Sequence, residues 1–294
     1  MLSQEPCKAC TFSEQRAHCS SYKSQVKIFY EGSDRGVWSL GSNLILKDRG
    51  PELPTDDAAN LRFVKENTTI LVPTVIHQHE TSNEHALTIM TRIPGENLAE
   101  AWPKLSNAEK ENIAKQTAEY LLQLRLLHSD RIEAHGGRPV FNGYLVKAED
   151  TRFHCPCGPL VSDEEVWTAL ARRLNPTIPD AARNRLRHSM PPTKPFTFTH
   201  QDLAHVNIMV QDGVLTGIVD RERAGYFPVW WEYAMTLFTG EGPEDAQWQG
   251  LLRKHMPQMD DVYNWFKTYY FLCLEDLNSS WARDFIEESE KDLA

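Results

Sequence analysis

The feature that most constrains the fold of this chain is a hairpin signal in its second half. Two β-rich runs, Ile208–Gln211 and Val214–Val219, are separated by the dipeptide Asp212-Gly213. An Asp-Gly pair between two such runs is the strongest short-range signal for a two-residue turn between antiparallel strands. We therefore predict a tight β-hairpin here, with Gln211 opposite Val214.

Polar side chains stand at the open end of this hairpin. Asp202 and Asn207 precede the first strand, and Asp220 follows the second. A regular ladder places Asn207 opposite Ile218 and Asp220 opposite His205, so Asn207 and Asp220 become diagonal neighbours about 7–8 Å apart. Mg²⁺ prefers such hard oxygen ligands and completes its shell with water and phosphate oxygens. We expect Asn207 and Asp220 to bind Mg²⁺.

A carboxylate beside a histidine, then an amide, then a second carboxylate is the set that kinase-type phosphoryl transfer uses. Asp202 is the candidate to orient or deprotonate an acceptor hydroxyl. We group His200 with Asp202 in the catalytic set, and expect it to brace the loop through hydrogen bonds rather than to move protons.

The stretch from Phe196 to Tyr233 resembles the catalytic and metal-binding loops of the aminoglycoside phosphotransferase/choline kinase-like family, particularly its branch common in filamentous fungi. The matching residues are Thr199-His200-Gln201-Asp202-Leu203, Asn207-Ile208, Asp212-Gly213, Gly217-Ile218, Asp220-Arg221-Glu222, Ala224-Gly225, Pro228 and Trp231-Glu232-Tyr233. Upstream, Ile93–Leu98 and Leu61–Val64 resemble the family's hinge and helix segments. The resemblance covers about residues 25 to 285.

This resemblance implies an α+β, two-lobed protein-kinase-like fold. A small N-terminal lobe with an antiparallel sheet would bind ATP, and a larger, mainly helical C-terminal lobe would carry the catalytic loop and the metal site. The corresponding division is an irregular arm at 1–20, the N-lobe at 21–93 and the C-lobe at 94–294. The implied activity is transfer of the γ-phosphate of Mg-ATP to a hydroxyl of a small molecule.

The resemblance also assigns residues to ATP. Lys47, at the end of a strand, corresponds to the lysine that contacts the phosphates, and Asp57 stands where a helix glutamate usually orients it. Independently of the resemblance, Ser33 lies in a turn whose backbone amides are candidates to cap phosphates, and an ordinary short polar turn is the equally favoured alternative. The adenine would be read mainly by backbone groups of the hinge, at Met90, Thr91 and Ile93.

Two residues depart from the family pattern inside the catalytic stretch. Gln201 stands where the family usually has glycine, a residue that permits unusual backbone torsions. Arg221 stands where it usually has tryptophan, beside Asp220. Three interpretations of Arg221 remain open: it contacts phosphate, it pairs with Glu222, or it lowers the catalytic activity.

The coarse element pattern agrees with this fold. We predict strands at Val26–Tyr30, Gly36–Leu40, Asn43–Lys47, Thr69–Ile76 and His85–Ile93, with one helix near Asp56–Glu66. After Pro94 the chain is mainly helical, beginning with the capping box Ser106-x-x-Glu109 and a helical stripe that extends to His128. Further helices are predicted at Asp163–Leu174, Trp230–Phe238 and Val262–Leu277, and an irregular insertion at 129–162 is a candidate to flank the substrate.

Composition restricts the partners. The 294 residues carry a net charge of −10, which argues against nucleic acid or an anionic membrane as partner. No apolar run approaches the roughly 18 residues that span a bilayer, and no secretory signal is visible, so we expect a cytoplasmic monomer or homodimer.

Acidic side chains at Glu232, Glu275 and Asp276 are candidates to receive a cationic substrate, although ordinary solvated or ion-paired carboxylates are favoured.

The six cysteines raise a metal question. They occur as Cys7, Cys10 and Cys19, then Cys155 and Cys157, then Cys273. Neither of the first two groups has a second pair at standard zinc spacing. Free thiols are the favoured interpretation, and a zinc site formed by both groups is the alternative.

Other functions remain open. The first is a low-activity or pseudokinase module that binds nucleotide. The second is ATP-dependent activation of a carboxylate or amine instead of a hydroxyl, and the third is a non-catalytic interaction protein.

Overall fold

The computed structural model describes residues 26–32, 35–49, 56–80, 86–145, 156–238 and 242–291. The predicted arm at 1–20, Ser33, and the cysteines at 7, 10, 19 and 155 lie outside these residues. The strands are β1 Val26–Gly32, β2 Arg35–Leu40, β3 Leu44–Arg49, β4 Val75–Glu80, β5 Ala86–Thr91, β6 Glu96–Asn97, β7 His128–Ser129, β8 Phe196–Thr199, β9 Ile208–Gln211, β10 Val214–Ile218 and β11 Gly225–Pro228. The helices are α1 Asp57–Asn67, α2 Leu98–Ala101, α3 Asn107–Leu124, α4 Asp163–Ala171, α5 Asp180–His188, α6 Trp231–Met235, α7 Pro243–His255, α8 Asp260–Leu272 and α9 Ser280–Lys291.

The N-terminal part is an antiparallel sheet in the order β1-β2-β3-β5-β4, with α1 between β3 and β4. One predicted strand is wrong in position, because Thr69–Ile76 contributes only its last two residues, to β4. The backbone before β4 forms a hydrogen bond with another part of the chain. The Leu71 carbonyl accepts from the Ile218 amide at 3.1 Å, which joins this segment to the hairpin β9–β10.

Helices dominate the rest of the described chain, as predicted. Helix α3 begins at the predicted capping box, in which Ser106 Oγ accepts from the Glu109 amide and the Glu109 carboxylate accepts from the Ser106 amide. Its stripe ends at Leu124, so His128 is not a helix-end residue but lies in β7. None of the helices in the described ranges is long and apolar enough to cross a membrane.

The predicted hairpin is present, but its register slips by one residue. Val214 lies opposite Gln211, and a bulge between Leu215 and Gly217 shifts the remaining pairs. As a result Asn207 lies opposite Val219, whose amide donates to the Asn207 carbonyl at 3.0 Å, and not opposite Ile218. The bulge inserts one residue into one strand only, which residue numbers alone cannot reveal.

Two small sheets hold the segments on either side of the hairpin. One has the order β10-β9-β6 and the other β11-β8-β7. Strand β8 is completely buried, and the chain leaves it at His200 to reach β9 through a short 3-10 turn at His205–Asn207. The loop that contains Asp202 is therefore anchored by a sheet at each end.

Candidate active site

His200 is the first residue after β8 and is completely buried. Its Nε2 lies 3.0 Å from the Val219 carbonyl, and its Nδ1 accepts from the Asp202 amide at 3.2 Å. These partners require a proton on Nε2 and none on Nδ1. Burial, together with the nearby Arg221 charge, lowers the pKa of His200 to about 3. His200 is therefore a neutral imidazole that ties the loop to the strand before Asp220.

Gln201 adopts a left-handed backbone conformation, with φ of 70°. L-residues other than glycine rarely adopt this region, which explains why glycine suits the position. Its side chain compensates with hydrogen bonds, donating to the Arg223 carbonyl at 2.5 Å and accepting from Asn142. Gln201 thus bridges the catalytic loop, the loop after Asp220 and the insertion that begins at 129.

Asp202 lies at the apex of the loop. Burial and the negative charge of Asp220 raise the pKa of its carboxyl, and the Arg223 charge opposes this rise. A raised pKa makes the carboxylate a stronger proton acceptor. The Asn207 side chain donates to the Asp202 carbonyl at 3.0 Å, which fixes the distance between loop and hairpin.

Asn207 and Asp220 leave adjacent strands at the same end of the hairpin. Because the Asn207 amide nitrogen donates to Asp202, its side-chain oxygen is the group left for a ligand. Asp220 has a positive φ of 61° and is held as a carboxylate, since the Lys47 ammonium overcomes the effect of burial and keeps its pKa well below the usual range. An amide oxygen and an ionised carboxylate are a donor set that fits Mg²⁺.

Lys47 crosses from the sheet to the hairpin. Its Nζ lies 2.9 Å from Asp57 Oδ2, 2.8 Å from Asp220 Oδ1 and 3.5 Å from Glu222 Oε2. Burial disfavours the ammonium, but the three carboxylates hold its pKa above the ordinary value. Lys47 is therefore a permanent cation at the junction of the two parts of the chain.

Asp57, the first residue of α1, reaches Lys47 although its side chain is one carbon shorter than that of glutamate. Its other oxygen accepts from the Arg221 amide at 2.9 Å. One turn later, Asn60 donates to the Arg221 carbonyl at 2.7 Å. Helix α1 therefore positions both the cation and the loop that follows Asp220.

Arg221 does not pair with Glu222, which contacts Arg49 and Lys47 instead. The Arg221 side chain is completely buried, and none of its guanidinium nitrogens has a hydrogen-bond partner among the described residues. Burial lowers its pKa to about 10, and the charges of Glu232 and Asp57 oppose this. Burial and the negative charge of Asp220 also raise the pKa of the neighbouring Glu222 carboxyl to about 7.

The hinge residues are partly committed to the fold. Met90 is buried in β5, and the Thr91 amide donates to the Thr74 carbonyl at 2.9 Å. The Arg92 amide donates to the Asn43 carbonyl at 2.8 Å. Of the predicted hinge residues, only Ile93 lies beyond the end of β5, so its segment is the candidate to meet an adenine ring.

Glu232 organises the loop of Asp202, whereas the sequence suggested either a substrate ligand or, more favoured, an ordinary solvated or ion-paired carboxylate. Its carboxylate accepts from the amides of His200 at 2.5 Å and Gln201 at 3.1 Å. Burial raises its pKa to about 7, and these hydrogen bonds and the Arg221 charge oppose the rise. The other two acidic candidates, Glu275 and Asp276, are exposed.

Helix α7 supplies a second anchor that sequence reasoning missed. Asp245, fully buried, accepts from the His205 amide at 3.0 Å, while Trp248 and Gln249 both donate to the Leu203 carbonyl at 2.8 and 3.0 Å. These partners are about 40 residues away along the chain. No helix is predicted from the sequence at Pro243–His255, and an aspartate at position 245 is by itself no signal.

A cavity of about 440 Å³ opens beside Asp202. Its described walls come from the insertion, from α6 and the residues that follow it, and from α7 and α8. Cys157 is a buried free thiol, and no three histidine, cysteine, aspartate or glutamate side chains gather into a metal site within the described ranges. The suggested zinc partners of Cys157 lie outside those ranges.

The sequence profile of the phosphotransferase enzyme family, APH, matches residues 34–261. A search of curated protein sequences finds no match. Among solved structures, aminoglycoside phosphotransferase APH(4)-Ia superimposes with a TM-score of 0.56 at 15% identity, over 92% of this chain and 94% of that one.

Two further structures show the same fold. APH(2")-IIa, solved with streptomycin and ATP, has a TM-score of 0.52 at 14% identity and covers 88% of this chain and 87% of its own. APH(2'')-Ib with ADP has a TM-score of 0.51 at 14% identity and covers 94% and 95%. The profile match extends over most of the chain and includes every element of the site from Lys47 to Asp220, and this chain therefore belongs to the APH phosphotransferase enzyme family.

Proposed function

We propose that this protein transfers the γ-phosphate of Mg-ATP to a hydroxyl group of a small molecule. The observation that carries the proposal is the convergence of Lys47 on Asp57 at 2.9 Å and Asp220 at 2.8 Å. It brings a strand cation for phosphates next to a carboxylate at the end of the hairpin. The ligands of similar structures support the nucleotide, since APH(2")-IIa was solved with ATP and APH(2'')-Ib with ADP.

ATP would lie between the five-stranded sheet and the hairpin β9–β10. Lys47 would contact the α- and β-phosphates, and backbone groups near Ile93 would read the adenine. Asn207 and Asp220 would hold Mg²⁺. When bound, Mg²⁺ neutralises charge on the phosphate oxygens.

Asp202 would orient the acceptor hydroxyl and take its proton. The hydroxyl oxygen forms a bond to the γ-phosphorus, the bond from this phosphorus to the bridging oxygen breaks, and ADP leaves with the electron pair. The raised pKa of Asp202 suits proton acceptance. His200, buried and neutral, would position Asp202 and take no part in proton transfer. Positioning and fixed charges supply most of the rate in such reactions.

A low-activity nucleotide-binding module is the second candidate, and Gln201 is the observation that favours it. Its side chain joins Asn142 to the Arg223 carbonyl, within the wall of the cavity that an acceptor would enter. Arg221 gives this candidate less support, because its guanidinium is buried away from solvent.

Thermal stability with Mg-ATP and ADP release across a panel of small hydroxylated compounds test the proposal together. We expect Mg-ATP to stabilise the protein and at least one compound to stimulate ADP release. Stabilisation without stimulated release would favour the low-activity module. An acyl phosphate trapped by hydroxylamine would point to a carboxylate acceptor, and absence of stabilisation would favour the interaction protein.

A further inference from the structure

The cavity beside Asp202 has an apolar body. Its volume of about 440 Å³ is within the range typical of small-molecule sites. Four aromatic rings line it, from Phe141, Tyr144, Phe238 and Tyr270. A ligand that enters it must therefore present apolar or aromatic surface to most of the wall.

The aromatic rings brace one another. Tyr144 and Phe238 stack with centroids 4.9 Å apart, and Tyr270 meets Phe238 edge-on, also at 4.9 Å. Burial raises the pKa of Tyr144, so its phenol stays neutral at physiological pH. Mutual packing of this kind pre-organises a wall for a flat ligand body.

The charged groups in the described wall are two guanidiniums and two carboxylates, namely Arg173, Arg223, Asp202 and Glu232. Both carboxylates already have a task. Glu232 accepts from two loop amides, and Asp202 is assigned to the acceptor hydroxyl. Within the described wall, no carboxylate therefore remains to bind an ammonium group of the acceptor.

Arg173 is fixed at this wall. It donates to the Gly143 carbonyl, and its guanidinium lies over the Tyr144 ring, 5.4 Å from the centroid. Its Nε is buried and has no hydrogen-bond partner among the described residues, while the side chain forms part of the cavity wall. A guanidinium that is held in place and lines a cavity is suited to a carboxylate or another planar oxyanion.

We propose that the acceptor is a hydroxylated small molecule with an apolar or aromatic body and an anionic group that Arg173 binds. This assignment rests on the proposed phosphotransferase function and names its substrate class. The hydroxyl lies at Asp202 and the body against the aromatic wall. A polycationic acceptor is disfavoured, because it would bring ammonium groups next to two guanidiniums where the described wall has no carboxylate to spare.

Three matched probes test the charge requirement: para-(hydroxymethyl)benzoate, its methyl ester, and para-(aminomethyl)benzyl alcohol. All three carry the same hydroxymethyl group, a primary alcohol, attached to a benzene ring, and they differ in the charge of the para substituent. We expect the benzoate to bind most tightly in the presence of a non-hydrolysable Mg-ATP analogue, by about tenfold over the ester, as one charged hydrogen bond allows. Tighter binding of the amine, equal binding of all three, or no binding of the benzoate would overturn the proposal.

Variants of Arg173 locate the preference. Arg173→Gln should reduce benzoate affinity about tenfold while leaving the ester unchanged, and Arg173→Lys should keep part of the preference. Arg172→Gln is the matched control, because Arg172 is the exposed neighbour on the same turn. If Arg173→Gln does not fold, Arg173→Lys and the three probes still decide the matter, since a charge preference absent from the wild type rejects the assignment.

Mg-ATP stabilisation, measured in the same samples, separates two failures. If Mg-ATP does not stabilise the protein, the phosphotransferase function itself is wrong. If Mg-ATP stabilises it and the benzoate is not preferred, only the acceptor class is wrong.

Discussion

Gln201 combines an unfavourable backbone conformation with side-chain hydrogen bonds that offset its cost. A non-glycine residue in the left-handed region costs roughly 1–2 kcal/mol. At Gln201, with φ of 70°, bonds to Asn142 and to the Arg223 carbonyl offset this cost. The same bonds fix the cavity wall beside Asp202.

Replacement of Gln201 should therefore reverse the usual order of alanine and glycine. We expect Gln201→Gly to have a free energy of unfolding about 1 kcal/mol greater than Gln201→Ala, because only alanine retains the backbone strain. Urea unfolding of both variants measures this. The exposed strand residue Gln211 is the control, where alanine should be the more stable by roughly 0.5–1 kcal/mol. The same order at both sites would contradict the strained conformation.

Glu232 makes stability depend on pH in a defined direction. Its pKa is raised from 4.5 to about 7 in the folded protein. Between these values the folded state holds a proton that the unfolded state has lost, so the Glu232 contribution is complete below pH 4.5 and is lost as pH rises to about 7. His200 acts in the opposite direction, because its pKa falls from 6.5 to about 3 and its contribution is lost as pH falls.

Glu232→Gln should isolate the first effect. We expect the difference in free energy of unfolding, variant minus wild type, to become more positive as pH rises from about 4.5 to about 7, because only the wild type must give up that proton. Denaturant titrations across this range give the measurement. Parallel curves for the two proteins would show that Glu232 does not hold a raised pKa.

At the scale of elements, the loop that contains Asp202 is held between secondary structures that lie far apart in the chain. Helix α1 positions Lys47 and the Arg221 backbone, while α7 holds the Leu203 carbonyl and the His205 amide. Local signals predicted the start of α3 and the hairpin turn, because a capping box and an Asp-Gly turn depend on neighbouring residues only. The bulge between Leu215 and Gly217 escaped prediction, since it depends on how the hairpin meets its surroundings.

The capping box of α3 gives a test of element stability that lies apart from the proposed chemistry. Ser106→Ala removes the acceptor for the Glu109 amide and should lower the free energy of unfolding by about 1 kcal/mol, whereas Ser106→Gly should cost only a few tenths. Both variants should keep the wild-type stabilisation by Mg-ATP. Equal stability of Ser106→Ala and wild type in thermal unfolding would mean that the cap contributes nothing.

At the scale of the whole molecule, two parts with different roles meet at a charged junction. Lys47 lies on strand β3 of the sheet and pairs with Asp220, which follows the hairpin. Arg49, also on β3, pairs with Glu222. Motif spacing and family resemblance named Lys47 and Asp220, but they did not name Arg49 and offered Glu222 only as a partner for Arg221. Motif spacing and family resemblance could not predict that Glu232 accepts hydrogen bonds from the loop amides, or that Arg221 is buried. Both facts depend on packing between segments that no local pattern links.

The most direct test of the central claim is acceptor-dependent ADP release by Asp202→Asn, compared with the wild type at saturating Mg-ATP. Asparagine keeps the size of the side chain and removes the proton acceptor. We predict at least a hundredfold loss of turnover, about the contribution of a general base, with Mg-ATP binding unchanged. Wild-type turnover in Asp202→Asn would contradict the proposed mechanism.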